Sequence, residues 1–310
     1  MTATMSDIMI FHEDAKHHAA PMIVLLTDFG LQDGYVGIMK AVMLSICPQA
    51  LLVDLTHDIE PQNVHQAAYV LLNAWRYLPK GAIVLAVVDP GVGSSRKPIA
   101  VQTDHCTLVG PDNGLFSYVL QHSEMQKAVA LQNPQYQLPD VSATFHGRDI
   151  FSPAAAYLAT DVDIEQLGPP LPRLERLRQP LLKIETNAIH GEIIYIDRFG
   201  NLISSIGDLT WDSNDMLRLN PAFNPMYEGE MDGLTPFEAE SCAVEVGGQC
   251  FEPLYLSYVA VPKGKAVPLI NSGNKLEIAL NQGSAAELLG ITVGEPVTLR
   301  IGEEERREAD

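Results

Sequence analysis

Short apolar runs alternate with amphipathic stretches through the first half of the chain. Met22–Leu26 (MIVLL) is apolar and ends at Thr27-Asp28-Phe29-Gly30. A helical pattern over Tyr35–Ile46 stops before Pro48, and Leu51–Leu55 (LLVDL) reads as a second strand. Gln62–Trp75 puts Val64, Ala68, Leu71 and Trp75 on one helical stripe, and Ile83–Val88 (IVLAVV) is a wholly apolar third strand. Strand, helix, strand, helix, strand predicts a parallel sheet covered on both faces. Two short strands are expected near Ile99–Thr103 and Thr107–Val109, and a helix over about Ser152–Leu158 closes the unit.

Gly168-Pro169-Pro170-Leu171-Pro172 then breaks the pattern and marks the candidate domain boundary. Beyond it, Glu192–Ile196, Ala243–Val246, Tyr255–Val259, Leu276–Leu280 and Val297–Ile301 are short alternating runs between Gly, Asn and Pro. They predict a smaller antiparallel β domain. The expected fold class is therefore α/β, with an N-terminal parallel-sheet domain over 22–180, a C-terminal antiparallel β domain over 181–310 and a disordered tail over 1–21. Asn220–Glu238 is acidic and turn-rich and reads as a surface excursion.

Composition narrows the function classes. Hydrophobic residues are 46% and charged residues 19% of the 310, too apolar for a disordered chain. Lys plus Arg number 20 and Asp plus Glu 39, a formal charge of −19. Such a chain repels phosphate backbones and anionic lipid, so neither nucleic acid nor membrane is an expected partner. No apolar run approaches the roughly 18–20 residues that span a bilayer. The first twenty residues lack a basic leader followed by a long apolar stretch, so no signal peptide is expected. Cys47, Cys106, Cys242 and Cys250 are scattered without CxxC spacing, which opposes a zinc knuckle or disulfide framework and fits a reducing cytoplasm. His12, His17 and His18, near Glu13 and Asp14, read as a solvated cluster on a flexible end, and no metal site is expected.

Ligands of such sheets bind beyond the carboxyl ends of the strands. Polar clusters stand there after each apolar strand: TDFGLQDG, THDIEPQN and DPGVGSSR. Asp28 in the first can accept two ribose hydroxyls or can serve as a turn or helix cap. DPGVGSSR lacks the third glycine of a dinucleotide loop and the Lys-Ser/Thr of a phosphate loop. It carries Asp89 and Arg96 seven apart on a turn whose two glycines permit close approach of a ligand. The pair either builds a site or braces the loop. Phe145-His146-Gly147-Arg148-Asp149 precedes a helix, and His146, like His57 in LTHDI, is either structural or functional. In the second half, Asp197 and Asn201 in IDRFGN offer partners for a cationic group and an adenine-like edge, or form a plain β-turn. Ser272 lies in another strand-end turn that says little alone.

Together these segments resemble one family. LLTDFGLQDGYVGIMKAVM, DPGVGSSR, LVGPDNGLF, FHGRDIFSP, IDRFGNLISSI and INSGNKLEIALNQGSA are similar, in that order, to the S-adenosyl-L-methionine hydroxide adenosyltransferases, relatives of the S-adenosylmethionine-dependent fluorinase and chlorinase. The resemblance implies that water, acting as hydroxide, displaces L-methionine from the ribose 5′ carbon and releases adenosine. It implies a catalytic set at Asp89, Arg96 and His146, which halogenating relatives lack, their counterpart of DPGVG beginning with Tyr. It further implies ribose binding by Asp28, contacts of Asp197 and Ser272 with the methionine ammonium and carboxylate, and an adenine contact from Asn201. A homotrimer with sites shared between subunits is implied, and no metal or cofactor. Gly273 stands where halogenating relatives carry an Arg. The alternatives are a halogenase and a non-catalytic S-adenosylmethionine or adenosine sensor.

The chemistry suits that set. Methionine leaves a sulfonium as a neutral thioether, so the leaving group needs no acid. Water is the difficulty, because its pKa in bulk is about 15.7. A guanidinium stays protonated and stabilises developing hydroxide. Arg96 is expected in that role, with His146 orienting the water or receiving its proton and Asp89 holding the pair.

Overall fold

The computed structural model describes residues 20–212, 215–221, 223 and 236–302. The expected tail, apart from Ala20 and Pro21, and most of the acidic excursion lie outside the described residues.

The N-terminal half contains β1 (Met22–Thr27), α1 (Tyr35–Ile46), β2 (Leu51–Thr56), α2 (Val64–Trp75), β3 (Ile83–Val87), β4 (Pro98–Thr103), β5 (Thr107–Pro111), β6 (Met125–Ala130) and α3 (Ser152–Leu158). They form a six-stranded sheet in the order β2-β1-β3-β5-β4-β6. β1 pairs in parallel with β2 and β3, and β3 with β5, while β4 runs antiparallel to β5 and β6. One face packs on Met39, Met43, Phe151 and Ala155 of the α1–α3 side. The other packs on Leu71 and Trp75 of α2. β1 and β3 are buried on both faces, as their unbroken apolar runs require. β2 is different, with half-open Leu51 and Val53, because it is the edge strand.

Asn63 caps α2 through Oδ1, which accepts from Gln66 N at 2.9 Å. Among the described residues no side chain caps α1, whose N-cap is Gly34. β6 escapes the hydrophobic pattern because MQKAVA carries apolar residues mainly at one end. The proline-rich segment after Gly168 runs alongside it. Pro169 O accepts from Ala130 N at 2.9 Å and Leu171 N donates to Ala128 O at 2.8 Å.

The C-terminal half contains β7 (Leu182–Glu185), β8 (Ala188–Ile196), β9 (Leu202–Gly207), β10 (Leu209–Trp211), β11 (Met216–Leu219), β12 (Phe237–Glu238), β13 (Cys242–Val246), β14 (Gln249–Phe251), β15 (Ala266–Ile270), β16 (Lys275–Leu280) and β17 (Pro296–Ile301). The main sheet is antiparallel in the order β14-β13-β17-β8-β9-β16-β15, with β7 also on β8. Alternating burial along β13, one residue in and one out, is the pattern read from the sequence. Tyr255–Val259 is not a strand. Tyr255 makes a single bridge to Leu269, and a tight helical turn follows at Tyr258–Ala260. Pro253 and Pro262 bound the segment and cannot donate to a ladder.

The halves meet where α2 lies against β8 and β9. Tyr69 and Tyr195 place their ring centroids 5.0 Å apart. Ala68, Tyr118, Ile203 and Phe223 complete a small shared core. Among the described residues no helix is long and apolar enough to cross a membrane.

Candidate active site

Three strand-end segments converge beyond the first sheet. Asp28 follows β1, Asp89 follows β3 by one residue, and His146 opens the wide helical turn Gly147–Phe151 that leads into α3. They line one cleft of about 380 Å³ with Phe29, Tyr35, Gln62, Val92 and Phe145. Phe29, Tyr35 and Phe145 form an aromatic wall, with ring centroids 5.2–5.9 Å apart and mostly edge-on.

Asp89 and His146, on the cleft wall, form one bonded set with Arg96 behind them. Arg96 Nε donates to Asp89 Oδ1 at 2.9 Å, and Nη2 donates to Asp89 Oδ2. Nη2 also donates to His146 Nδ1 at 2.8 Å. The Arg96 and Asp89 side chains are 9% and 6% exposed, so this fork is shielded from solvent. The Arg96 guanidinium carbon lies 5.3 Å from the Phe151 ring centroid. Its Nη1 is buried and has no hydrogen-bond partner among the described residues. A buried guanidinium N–H left bare is costly unless a ligand or water completes it.

Local backbone demands explain why distant segments meet. Gly93 has φ +76°, and a Cβ there would lie 2.5 Å from the Ala143 carbonyl oxygen. Only glycine lets the 89–96 loop press on the segment that carries His146. The close approach seen at this glycine is thus to the protein's own backbone. Asn113 Nδ2 donates to Val88 O at 2.9 Å and steadies the strand end beside Asp89. Asp149 is fully buried, accepts from Arg148 Nε at 2.6 Å and from Ser142 N at 2.8 Å, and so ties down both sides of His146. Asn113, Asp149 and the aromatic wall were not singled out from the sequence as site residues. Only the turn chemistry around LVGPDNG and FHGRD hinted at them.

Burial moves the Asp28 and His146 pKa values in opposite directions. Burial raises the Asp28 pKa above the usual carboxylate value, opposed by a hydrogen bond from Gln62 N and assisted weakly by Asp89. Gln62 N reaches Asp28 Oδ2 at 2.8 Å. The His146 pKa is lowered, first by burial and then by the Arg96 charge. Because a guanidinium only donates, Nδ1 of His146 is the acceptor, and the neutral ring carries its proton on Nε2. His57 belongs elsewhere. It is buried, bonded through Nδ1 to Thr27 Oγ1 at 2.8 Å and paired with Asp54 at 3.1 Å, so it braces the ends of β1 and β2.

The C-terminal candidates do not line this cleft within one chain. Asp197 Oδ1 accepts from Phe199 N and Asn201 N, both at 2.9 Å, and its Oδ2 accepts from Asn201 Nδ2 at 2.9 Å. The two residues therefore build the turn between β8 and β9. Ser272 is exposed in the loop between β15 and β16, where its carbonyl accepts from Arg76 Nη2 at 2.9 Å. A second cavity, of about 210 Å³ and lined by His65, Tyr118, Arg178 and Glu192, holds none of the predicted residues.

Comparison with known proteins follows the same blocks. The family model described as "SAM hydroxide adenosyltransferase N-terminal domain" matches residues 23–168, and its C-terminal counterpart matches 230–298. A Thermus thermophilus protein named (R)-S-adenosyl-L-methionine hydrolase is 39% identical over 284 residues, covering 89% of this chain and 98% of the relative. A fluorinase from Nocardia brasiliensis is more distant, 23% identical over 91% of this chain and 97% of its own. The crystal structure of an uncharacterized conserved protein from Thermotoga maritima superposes with a TM-score of 0.77 at 32% identity, covering 90% of this chain and all of that one. With both halves matched in order, this chain belongs to the SAM hydroxide adenosyltransferase family.

Proposed function

We infer that this chain hydrolyses S-adenosyl-L-methionine to adenosine and L-methionine. The curated relatives at 34–39% identity over most of the chain carry that activity in their names. The structural observation that supports the chemistry is the buried, unpartnered Nη1 of Arg96 beside His146.

In this reading Arg96 Nη1 donates to the attacking water and stabilises hydroxide as it forms. His146 contributes its Nε2–H. With Nδ1 already filled by Arg96, the ring orients the water rather than taking its proton. Asp89 fixes the guanidinium in plane. The oxygen bonds to C5′ as the C5′–S bond breaks, the electron pair of that bond stays on sulfur, and the water's surplus proton passes to solvent, so that S-adenosylmethionine and water give adenosine, methionine and one proton. Hydroxide and sulfonium cancel each other in the transition state, so a dry cleft walled by Phe29, Tyr35 and Phe145 strengthens their attraction. Asp28 takes the ribose hydroxyls with the oxygen not held by Gln62 N. Asp197, Asn201 and Ser272 bind the methionine and adenine ends.

Since those three residues stand outside the cleft in one chain, the reading includes a homotrimer in which 22–180 of one subunit faces 181–310 of its neighbour. Light scattering at three times the 33.9 kDa chain mass is the expected result. The relatives' names specify the (R) sulfonium, and that epimer is the preferred substrate proposed here. The test is chromatography after incubation of each epimer in H2¹⁸O, with and without high chloride. Equal adenosine and methionine, one ¹⁸O in the adenosine 5′ hydroxyl and no effect of chloride are expected. A 5′-chloro-adenosine product, or tight binding without turnover, overturns the reading.

A further inference from the structure

The amino-acid end of the substrate carries a carboxylate, and the candidate residues bring no cation to it. Arg96 is committed to Asp89 and His146. Lys275, beside the Ser272 loop, is turned inward, its ammonium bonded to Asp208 and to Gly273 O, with the side chain 4% exposed. Gly273 has no side chain. A Cβ there would sit 3.2 Å from Asn271 Oδ1 and 3.3 Å from Asn73 Oδ1, so the loop is already filled at that point.

The first domain supplies what the loop lacks. Tyr69, Asn73 and Arg76 recur at i, i+4 and i+7 and so share one face at the end of α2. All three meet the 271–273 loop. The Tyr69 hydroxyl lies beside the Asn73 and Asn271 side chains, which oppose the rise that burial gives its pKa. Asn271 Oδ1 accepts from Gly273 N at 2.9 Å and Lys275 N at 3.0 Å, which fixes the loop's shape. Arg76 donates to the Ser272 carbonyl at 2.9 Å through Nη2 alone, packs at 4.9 Å over the Tyr77 ring and is exposed. Among the described residues its remaining N–H groups have no other acceptor, and a guanidinium fork matches a carboxylate.

We propose that Arg76 is a specificity residue that reads the carboxylate of the substrate's amino-acid end, side by side with Ser272. The proposal rests on the reading that Ser272 lies at that end. Position at the end of α2 gives the mechanism: the helix sets Tyr69 and Asn73 beside Asn271 and Gly273 and delivers the cation from its C-cap, one turn further on.

The experiment compares S-adenosyl-L-methionine with its decarboxylated form, S-adenosyl-3-methylthiopropylamine, on the parent protein, Arg76→Gln, Arg76→Lys and Arg198→Gln. Arg198 is the exposed cation of the Asp197–Asn201 turn and the rival candidate. The parent is expected to favour the carboxylated substrate. Arg76→Gln should lower kcat/KM for it by about 10- to 100-fold, the range for a lost charge-assisted hydrogen bond. The loss should fall on KM, with the decarboxylated substrate altered less than twofold. Arg76→Lys should recover part of the loss, and Arg198→Gln should keep the parent's preference. Equal losses on both substrates mean that Arg76 only braces the loop, and the proposal fails. Preference unchanged in Arg76→Gln, or abolished in Arg198→Gln instead, also overturns it. A parent that does not discriminate removes the Ser272 reading as well. Absence of adenosine removes the hydrolase reading, and calorimetry of L-methionine against 3-methylthiopropylamine, with adenosine present, then makes the same comparison between parent and Arg76→Gln without turnover.

Discussion

Replacing Arg96 by lysine isolates the part of the site that a charge alone cannot supply. Arg96→Ala would leave the Asp89 carboxylate buried without a partner, a change that costs about 3–5 kcal/mol and confounds activity with folding. Lysine keeps the charge. Its single ammonium can reach Asp89, but it cannot also serve His146 and the water. In the parent Nε and Nη2 hold Asp89, Nη2 holds His146 at 2.8 Å, and Nη1 points bare from a buried position. Lysine keeps the charge pair with Asp89 but loses the second bond to it and the bond to His146, each a net contribution of about 0.5–1.5 kcal/mol once the charge is retained. The expected net stability loss is therefore only about 1–3 kcal/mol. The catalytic loss is larger in effect. Removing one donor to a developing oxyanion lowers kcat by about 10²–10³, or roughly 2.7–4 kcal/mol. The assay is chromatographic adenosine release at saturating substrate, with thermal unfolding and adenosine binding measured on the same preparation. A folded Arg96→Lys protein with kcat within threefold of the parent would refute the role of Nη1.

Three further outcomes are expected. Asp28→Asn should weaken adenosine binding by about tenfold or more, from one lost charge-assisted bond, while methionine binding changes little; equal losses by calorimetry would count against the ribose assignment. The His146 pKa is lowered from 6.5 by burial and by Arg96, so its neutral form persists below pH 6.5 and activity should fall only in acid as the ring gains a proton. In Arg96→Met the titration, followed by NMR of the imidazole Cε1–H, should move upward; no movement would mean the guanidinium does not act on the ring. Asp149→Asn, at a fully buried carboxylate held by Arg148 and Ser142 N, should cost about 1–3 kcal/mol in denaturant unfolding, the penalty of a buried amide donor left without a partner. A loss under 1 kcal/mol would show that the carboxylate does not anchor the His146 segment.

Much of this arrangement was legible in the chain because its causes are local. α1 lies where the apolar period and Pro48 put it, and β1 and β3 are the unbroken apolar runs that a twice-covered sheet demands. The polar clusters after those strands mark the ligand end of the sheet by the direction of the strands alone. β6 and β9 were not legible. β6 mixes Gln and Lys into its first half, and β9 (LISSIG) looks like a turn-rich tail until both Ser204 and Ser205 are seen to be buried and bonded to backbone carbonyls. β2 reads as a strand from its apolar content, which does not reveal that it lies at the sheet edge.

The order of the blocks carried the resemblance to the family, and that resemblance alone grouped Asp89, Arg96 and His146 into one set. Whether the first two form a brace or a site is a question that spacing leaves open, since an ion pair seven residues apart serves either purpose. Tertiary packing adds the rest: Gly93 against Ala143 brings His146 to Arg96, the ring is turned so that Nδ1 accepts, and one guanidinium donor is left buried and bare. It also brings α2 to the Ser272 loop across 196 residues of sequence. Hydrophobic period and turn chemistry act over a few residues and can be read one segment at a time. The direction of a hydrogen bond or the exposure of a single N–H depends on every segment packed around it, and exists only once the chain has folded.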